Sequence, residues 1–340
     1  MPRKPALSSP SRMADVAARA GVSAITVSRA LRTPEKVSPK ARARIEAAIK
    51  SLGYVPNLAA GTLKSQRSRI VAAVVPTLAN SIFADTVDGM ADVLREHGYQ
   101  LLLGNAGYSP DTEEALVAAF LGRQPEGLIL TGVQHRRAVR ERLRQVRIPV
   151  VETWELTDSP IDTVVGFSNF EAARRMTHAL AERGYRDIVF AGVAPEREAR
   201  SARRQAGYAQ AMAELGRAES ILTVPGETSP TYRSGALAMA QLLRERPRAD
   251  AVFFVNDFLA VGGLMECARR GIPVPGRMAV AGFGDFDIAR EILPALTTVR
   301  IPGREIGRRA ASTIIARLRS EGERGRIIDL GFEIIVRDSA

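Results

Sequence analysis

Cysteine is almost missing from this sequence: Cys267 stands alone in 340 residues. A single thiol excludes an intrachain disulfide and a cysteine-built zinc site, and it fits a reducing compartment. Histidine is nearly as scarce, and His97, His135 and His178 fall at no metal-ligand spacing. Long apolar runs are lacking too; IVAAVVP from Ile70 is far too short to span a bilayer, so no membrane association is expected. The N-terminal MPRKPALSSPSRMADV is basic without the apolar core of a signal peptide, and the expected location is the cytoplasm. No GxGxxG opens a helix after a strand, and no GKS/T phosphate loop occurs. The pair Asp285 and Asp287 and the loop GNAG at Gly104 only loosely imitate catalytic fingerprints. These absences point away from an enzyme and call for no cofactor and no metal.

Acidic residues are scarce in one region only. Up to Lys64 there are twelve Lys or Arg against Asp15, Glu35 and Glu46, a net +9 of the chain's +11, which leaves +2 for the remainder. A small basic head on a nearly neutral body is the electrostatic footprint of a nucleic-acid-binding module joined to something else. With 46% hydrophobic and 25% charged residues, the chain is globular and long enough for two or three domains.

The apolar pattern divides the chain further. Residues 1–11 are Pro- and Ser-rich and read as a disordered tail. A helix from about Arg12 to Ala20 should stop at Gly21, with Val16 and Ala20 inward. A second follows Ser23 as N-cap. A third follows Ser38, with Pro39 in its first turn and Ala41, Ile45, Ala48 and Leu52 as its buried stripe. Residues 12–53 therefore read as an all-α helix-turn-helix domain, with a hinge or linker over 54–67. From 68 to 340 the grammar changes to apolar strands alternating with amphipathic helices, such as GLILTG, IPVVETW, DIVFAG and AVFFVND. That pattern predicts two doubly wound parallel sheets flanking a cleft, with crossovers near 167–169, 294–302 and 330.

Within GVSAITVSRAL, Ile25 and Arg29 lie four apart and share a helix face. An arginine there can fork onto guanine and an isoleucine can pack on a thymine methyl, while Ser23, Thr26 and Ser28 suit phosphate oxygens. Ser38 completes this DNA-facing set. The segment YVPNLAAGTLKS reads either as a flexible linker or as a hinge helix offering Leu63 as a minor-groove wedge.

The stretches MADVAARAGVSAITVSRAL, KVSPKARARIEAAIKSLGYVPN, NDFLAVGG and PALTTVRIPGREIG closely resemble the LacI/GalR family of bacterial repressors. The resemblance runs from Met13 over nearly the whole chain. GLILTG, VVETWEL, VGFSNFEAARRMT and RQAGYAQAM are most similar to the gluconate-utilisation branch of that family. It implies a homodimer on palindromic operator DNA, a hinge helix, and a periplasmic-binding-protein-like core that takes a small sugar. Carried over position by position, the base-reading pair is Ala24 and Ile25, with Arg29 following. Many members carry a larger polar side chain at the Ala24 position. Asn57 falls on the hinge's backbone contact, Leu63 on its wedge, and Arg204 on the arginine that meets the effector. In AGFGDFD, Gly284 stands where an Asp is common, leaving Asp285.

Strand ends in such sheets carry the ligand site. The residues expected there are Asn80, Phe83, Thr131, Glu152, Trp154, Arg204, Asn256 and Asp285. Aromatic faces, hydrogen-bonding groups and one cation suit a sugar acid, of gluconate or keto-gluconate type, with Arg204 on its carboxylate. The alternatives are a neutral sugar, with Glu152 neutralising Arg204, or a regulator that binds DNA only with its ligand. More distant is an exported sugar-binding protein with the same core.

Overall fold

The computed structural model describes residues 11–55, 67–78, 81–194, 198–224 and 231–340. They fall into two units, Met1–Ser68 and Arg69–Ala340. Among the described residues no helix is long and apolar enough to cross a membrane.

The first unit holds α1 (Met13–Ala20), α2 (Ala24–Arg32) and α3 (Pro39–Leu52). Helix α1 ends at Gly21, whose φ of 61° is the left-handed conformation that glycine adopts freely. The Ser23 hydroxyl accepts from the Thr26 amide at 3.2 Å, and the Ser38 hydroxyl accepts from the Ala41 amide at 3.4 Å. Val16, Ala20, Val27, Ala30, Ile45 and Ala48 close a small core. Ala41 and Leu52, expected to be buried, are half-buried at its rim. Tyr54, read above as the start of the hinge, belongs to this core and is 7% exposed. Its ring fills space that three short helices leave open, so the head extends one residue past the expected boundary.

The second unit contains two six-stranded sheets. One comprises β1 (Ile70–Val75), β2 (Gln100–Asn105), β3 (Gly127–Thr131), β4 (Val150–Thr153), β5 (Thr163–Gly166) and β11 (Ile327–Asp329) in the order β2-β1-β3-β4-β5-β11. The other comprises β6 (Ile188–Gly192), β7 (Ile221–Thr223), β8 (Ala251–Phe254), β9 (Ala279–Gly284), β10 (Thr297–Arg300) and β12 (Glu333–Ile335) in the matching order β7-β6-β8-β9-β10-β12. The inner strands β1, β4, β6 and β8 are buried along nearly their full length, as a sheet covered on both faces requires, whereas the edge strands β2, β7, β11 and β12 are mostly half-buried or exposed.

The chain leaves the first sheet after Gly166, returns to the first lobe after Arg300, and crosses again between Asp329 and Glu333. The last crossing makes the one antiparallel pair among the described strands, β10 with β12. Strand β11 runs parallel to β5 and ends at the cleft side, so a strand entered directly from it must run away from the cleft. Helices α4 (Ala84–Glu96), α5 (Pro110–Leu121), α6 (Arg137–Gln145) and α12 (Gly303–Leu318) cover the first sheet. The second is covered by α7 (Asn169–Glu182), α8 (Ala199–Glu214), α9 (Tyr232–Glu245) and α10 (Asp257–Arg269), with the single turn α11 (Ile288–Glu291) at its edge. Gly207 brings α8 against the Phe170 carbonyl of α7, too close for any side chain.

Candidate effector cleft and DNA-facing helix

The order 2-1-3-4-5 puts a crevice beyond the carboxyl ends of β1 and β3 in one lobe and of β6 and β8 in the other. Both crevices open into one cleft of about 790 Å³. Tyr108, Thr131, Glu155 and Ser168 line it, and Glu198, Arg200 and Arg203 come from the start of α8 and the residue before it. A narrow inner recess, sharing Tyr108, Glu198 and Arg200 with the cleft, reaches Phe83, Trp154, Arg204, Asn256 and Phe283. Tyr108 (φ 58°) and Trp154 (φ 71°) follow β2 and β4 in the left-handed region, uncommon for side chains of this size. Such strain concentrates where ligands are held.

Two arginines one helical turn apart dominate the lining. Arg204 is buried; its Nε donates to Asn169 Oδ1 and its Nη1 to the Val255 carbonyl, each at 2.7 Å, while its guanidinium carbon lies 3.8 Å from the Phe283 ring centroid. Burial depresses its pKa to about 10, with the Glu198 carboxylate opposing that. Arg200 is also buried and pairs with Glu198 at 2.8 Å, and its Nη1 has no hydrogen-bond partner among the described residues. Lining the same cleft, Glu155 accepts from the Leu156 amide through Oε1 at 3.1 Å; its buried Oε2 has no hydrogen-bond partner among the described residues, although Asn169 lies near enough to favour its ionised form. Burial pushes the Glu155 carboxyl above the usual range. Tyr108, raised to about 12 by burial and then by Glu198, stays a neutral phenol that donates as well as accepts.

Of the residues expected from the sequence, Phe83, Trp154, Arg204 and Asn256 come together in the recess, and Thr131 lines the outer cleft. Asn256 also caps α10, its Oδ1 accepting from the Leu259 amide at 3.0 Å. Glu152 does not line either space. It is wholly buried behind the cleft, accepting from the Ile161 amide at 2.6 Å and pairing with Arg140 at 3.3 Å, with His135 at 3.6 Å. Asp285 is likewise withdrawn, gripped by Arg337 at 2.6 Å, Arg300 at 2.7 Å and Arg290 at 3.4 Å. Burial alone would raise its carboxyl, but the Arg300 and Arg337 hydrogen bonds outweigh that and hold it below the usual range. Gly284 takes the place of the expected acid with φ 137°, and a side chain there would enter the Phe286 ring. Asn80 lies outside the described residues, as do Asn57 and Leu63. Arg200 and Glu155 escaped the sequence reading, although Arg200 stands one turn before Arg204 and Glu155 directly follows Trp154.

In the first unit, α2 turns Val27 and Ala30 inward and leaves Ala24, Ile25 and Arg29 exposed. Ile25 is 72% exposed. The Arg29 guanidinium has no ion pair or hydrogen bond among the described residues, so its donors are free. Ser23 and Thr26 share a hydroxyl–hydroxyl bond of 2.8 Å at the start of the helix, close to Ser28.

A helix-turn-helix head presenting unpaired arginine, joined to a two-lobed ligand-binding core, defines a ligand-responsive DNA-binding regulator. Residues 12–57 match the model of bacterial regulatory proteins of the lacI family, and residues 177–340 match a periplasmic binding protein-like domain. The chain is 40% identical over 320 residues to the HTH-type transcriptional regulator GntR of Escherichia coli (strain K12), covering 94% of this chain and 96% of that one. It is 37% identical over 325 residues to the GntR regulator of Pseudomonas aeruginosa, covering 96% and 94%. A crystal structure of a LacI family regulator from Silicibacter pomeroyi superposes with a TM-score of 0.89 at 34% identity, covering 97% of this chain and 99% of that one. This chain belongs to the lacI family of bacterial regulatory proteins. It is a DNA-binding transcriptional regulator and not an enzyme.

Proposed function

We propose that the chain is a cytoplasmic, dimeric repressor whose operator affinity is controlled by a sugar acid of the gluconate or keto-gluconate class. The observation that carries this is a pair of buried atoms without a hydrogen-bond partner among the described residues, Arg200 Nη1 and Glu155 Oε2, on two residues that line one cleft. An unsatisfied buried donor on a cation calls for an anionic oxygen, and an unsatisfied carboxylate oxygen calls for a hydroxyl. A polyhydroxy carboxylate carries both groups. Arg200, rather than Arg204 alone, would take its carboxylate, and Tyr108, Thr131 and Ser168 would meet its hydroxyls. The resemblance to the gluconate-utilisation branch, and the GntR relatives, agree with this ligand class.

In the head, Ile25 and Arg29 read bases, while Ser23, Thr26, Ser28 and Ser38 contact phosphates; Ala24 contributes only a methyl. A homodimer suits a palindromic operator, since two heads must fall on equivalent half-sites. Leu237, Met265 and Leu293, exposed on the second lobe, are suited to a second copy. The ligand acts only if it binds two lobe arrangements unequally, a coupling of about 1–3 kcal/mol in typical allosteric proteins. Calorimetric titration of the full chain with gluconate and with glucose tests the ligand class. Gluconate should bind at least about tenfold more tightly, and Arg200→Ala should abolish that preference. Glucose binding as tightly as gluconate would overturn the assignment.

A further inference from the structure

Asn169 opens α7 directly after the chain leaves the first lobe, and it is completely buried. Both halves of its amide are in use: Oδ1 accepts from Arg204 Nε at 2.7 Å, and Nδ2 donates to the Trp154 carbonyl at 2.8 Å, with the Glu155 carboxyl also interacting with this residue. Arg204's other contacts are the Val255 carbonyl and the Phe283 ring. Every one of these partners is uncharged. Among the described residues no carboxylate lies within ion-pair distance of Arg204, and Glu198, the acid acting on it most, is paired with Arg200. Arg204 is thus aimed by neutral groups, with the Glu198 and Glu155 carboxylates acting on it only from beyond ion-pair distance, and a desolvated cation without a direct counter-ion is costly. Aspartate has nearly the shape of asparagine, and at this position it would give Nε a charge-assisted bond.

We infer that Asn169 is a specificity-determining residue of the cleft: as a neutral acceptor it fixes Arg204 while leaving the arginine's charge to an anionic ligand. The cleft thereby favours sugar acids over neutral sugars at the cost of one atom's difference from an acid-excluding site. This rests on the sugar-acid reading above. The test is calorimetric titration of wild type, Asn169→Asp and Asn169→Ser with gluconate and with glucose, with operator binding as a check on folding. Wild type should prefer gluconate. Asn169→Asp should lose gluconate affinity by about tenfold or more while glucose binding holds or improves, and Asn169→Ser, still neutral, should keep the preference. A wild type without preference for gluconate overturns the sugar-acid reading itself. A preference that survives in Asn169→Asp overturns only the role of Asn169. Equal loss of both ligands in Asn169→Asp marks a structural residue and overturns it as well.

Discussion

Arg200, carried by the second lobe, lies 5.1 Å over the ring of Phe83, which belongs to the first. The same residue lines the cleft and carries the Nη1 that lacks a partner among the described residues, so one side chain joins the ligand seat to the contact between lobes. A ligand that draws Arg200 toward itself must change how it sits on Phe83. Cation–π contacts of this kind are worth roughly 0.5–2 kcal/mol, comparable to an allosteric coupling. Phe83→Leu should therefore leave gluconate affinity within about threefold but reduce the effect of gluconate on operator binding. Anisotropy measurements of operator affinity with and without gluconate read this directly; an unchanged gluconate effect would remove Phe83 from the coupling.

Arg29 presents free donors beside an exposed isoleucine. Arg29→Ala should cost roughly 1–3 kcal/mol on the operator and relax preference at one symmetric pair of base pairs. Arg42→Ala, removing a charge without a base partner, should weaken all sequences alike and flatten the salt dependence. Competition binding against operator and random duplexes separates the two. Equal losses on both duplexes for Arg29→Ala would contradict base reading.

The hinge assignment predicts a palindromic operator with a flexible pyrimidine–purine step at its centre, CG above all. Leu63→Ala should then lower operator affinity and leave gluconate binding untouched. A gel-mobility bending assay that finds the operator straight in the complex would show the segment to be a linker.

Asp257 is wholly buried at the start of α10, accepting from the Thr298 hydroxyl at 2.6 Å and from the Phe286 amide at 2.9 Å. Burial pushes its carboxyl up to about 6, against those hydrogen bonds. A folded-state pKa raised above the unfolded value of about 3.9 means that the folded chain holds the extra proton between those limits. Its contribution to stability is therefore present below about pH 4 and lost as pH rises through about 6. In urea denaturation, the stability of wild type relative to Asp257→Asn should fall between pH 4 and pH 6. A difference independent of pH would show that Asp257 does not titrate in this range.

The strands and capped helices were legible because their signals are local. Ser23, Ser38 and Pro39 mark helix starts by backbone chemistry, and unbroken apolar runs mark strands buried on both faces. The site was legible only in part. Phe83, Trp154 and Asn256 follow strand ends and meet in the recess, but strand-end position alone does not tell which way a side chain points. Glu152 and Asp285 sit at comparable places and are turned instead to Arg140 and to the arginines of β10 and the C-terminal segment. Those partners lie on other elements, 12 and 15 residues away for Arg140 and Arg300 and 52 residues away for Arg337, which no periodicity reveals. Tyr54 crossed its expected boundary for a similar reason, because it belongs to a core built largely from α1 and α2, which lie more than twenty residues before it.

The central claim, that a sugar acid in the cleft governs DNA binding by the head, is tested most directly by fluorescence anisotropy of a labelled operator duplex. The full chain is titrated onto the duplex at fixed salt, alone, with saturating gluconate, and with the same concentration of glucose. Gluconate should shift the operator Kd by at least about fivefold while glucose leaves it unchanged, and Arg200→Ala should bind the operator normally and ignore gluconate. An operator Kd indifferent to gluconate, or one that glucose shifts equally, would contradict the account.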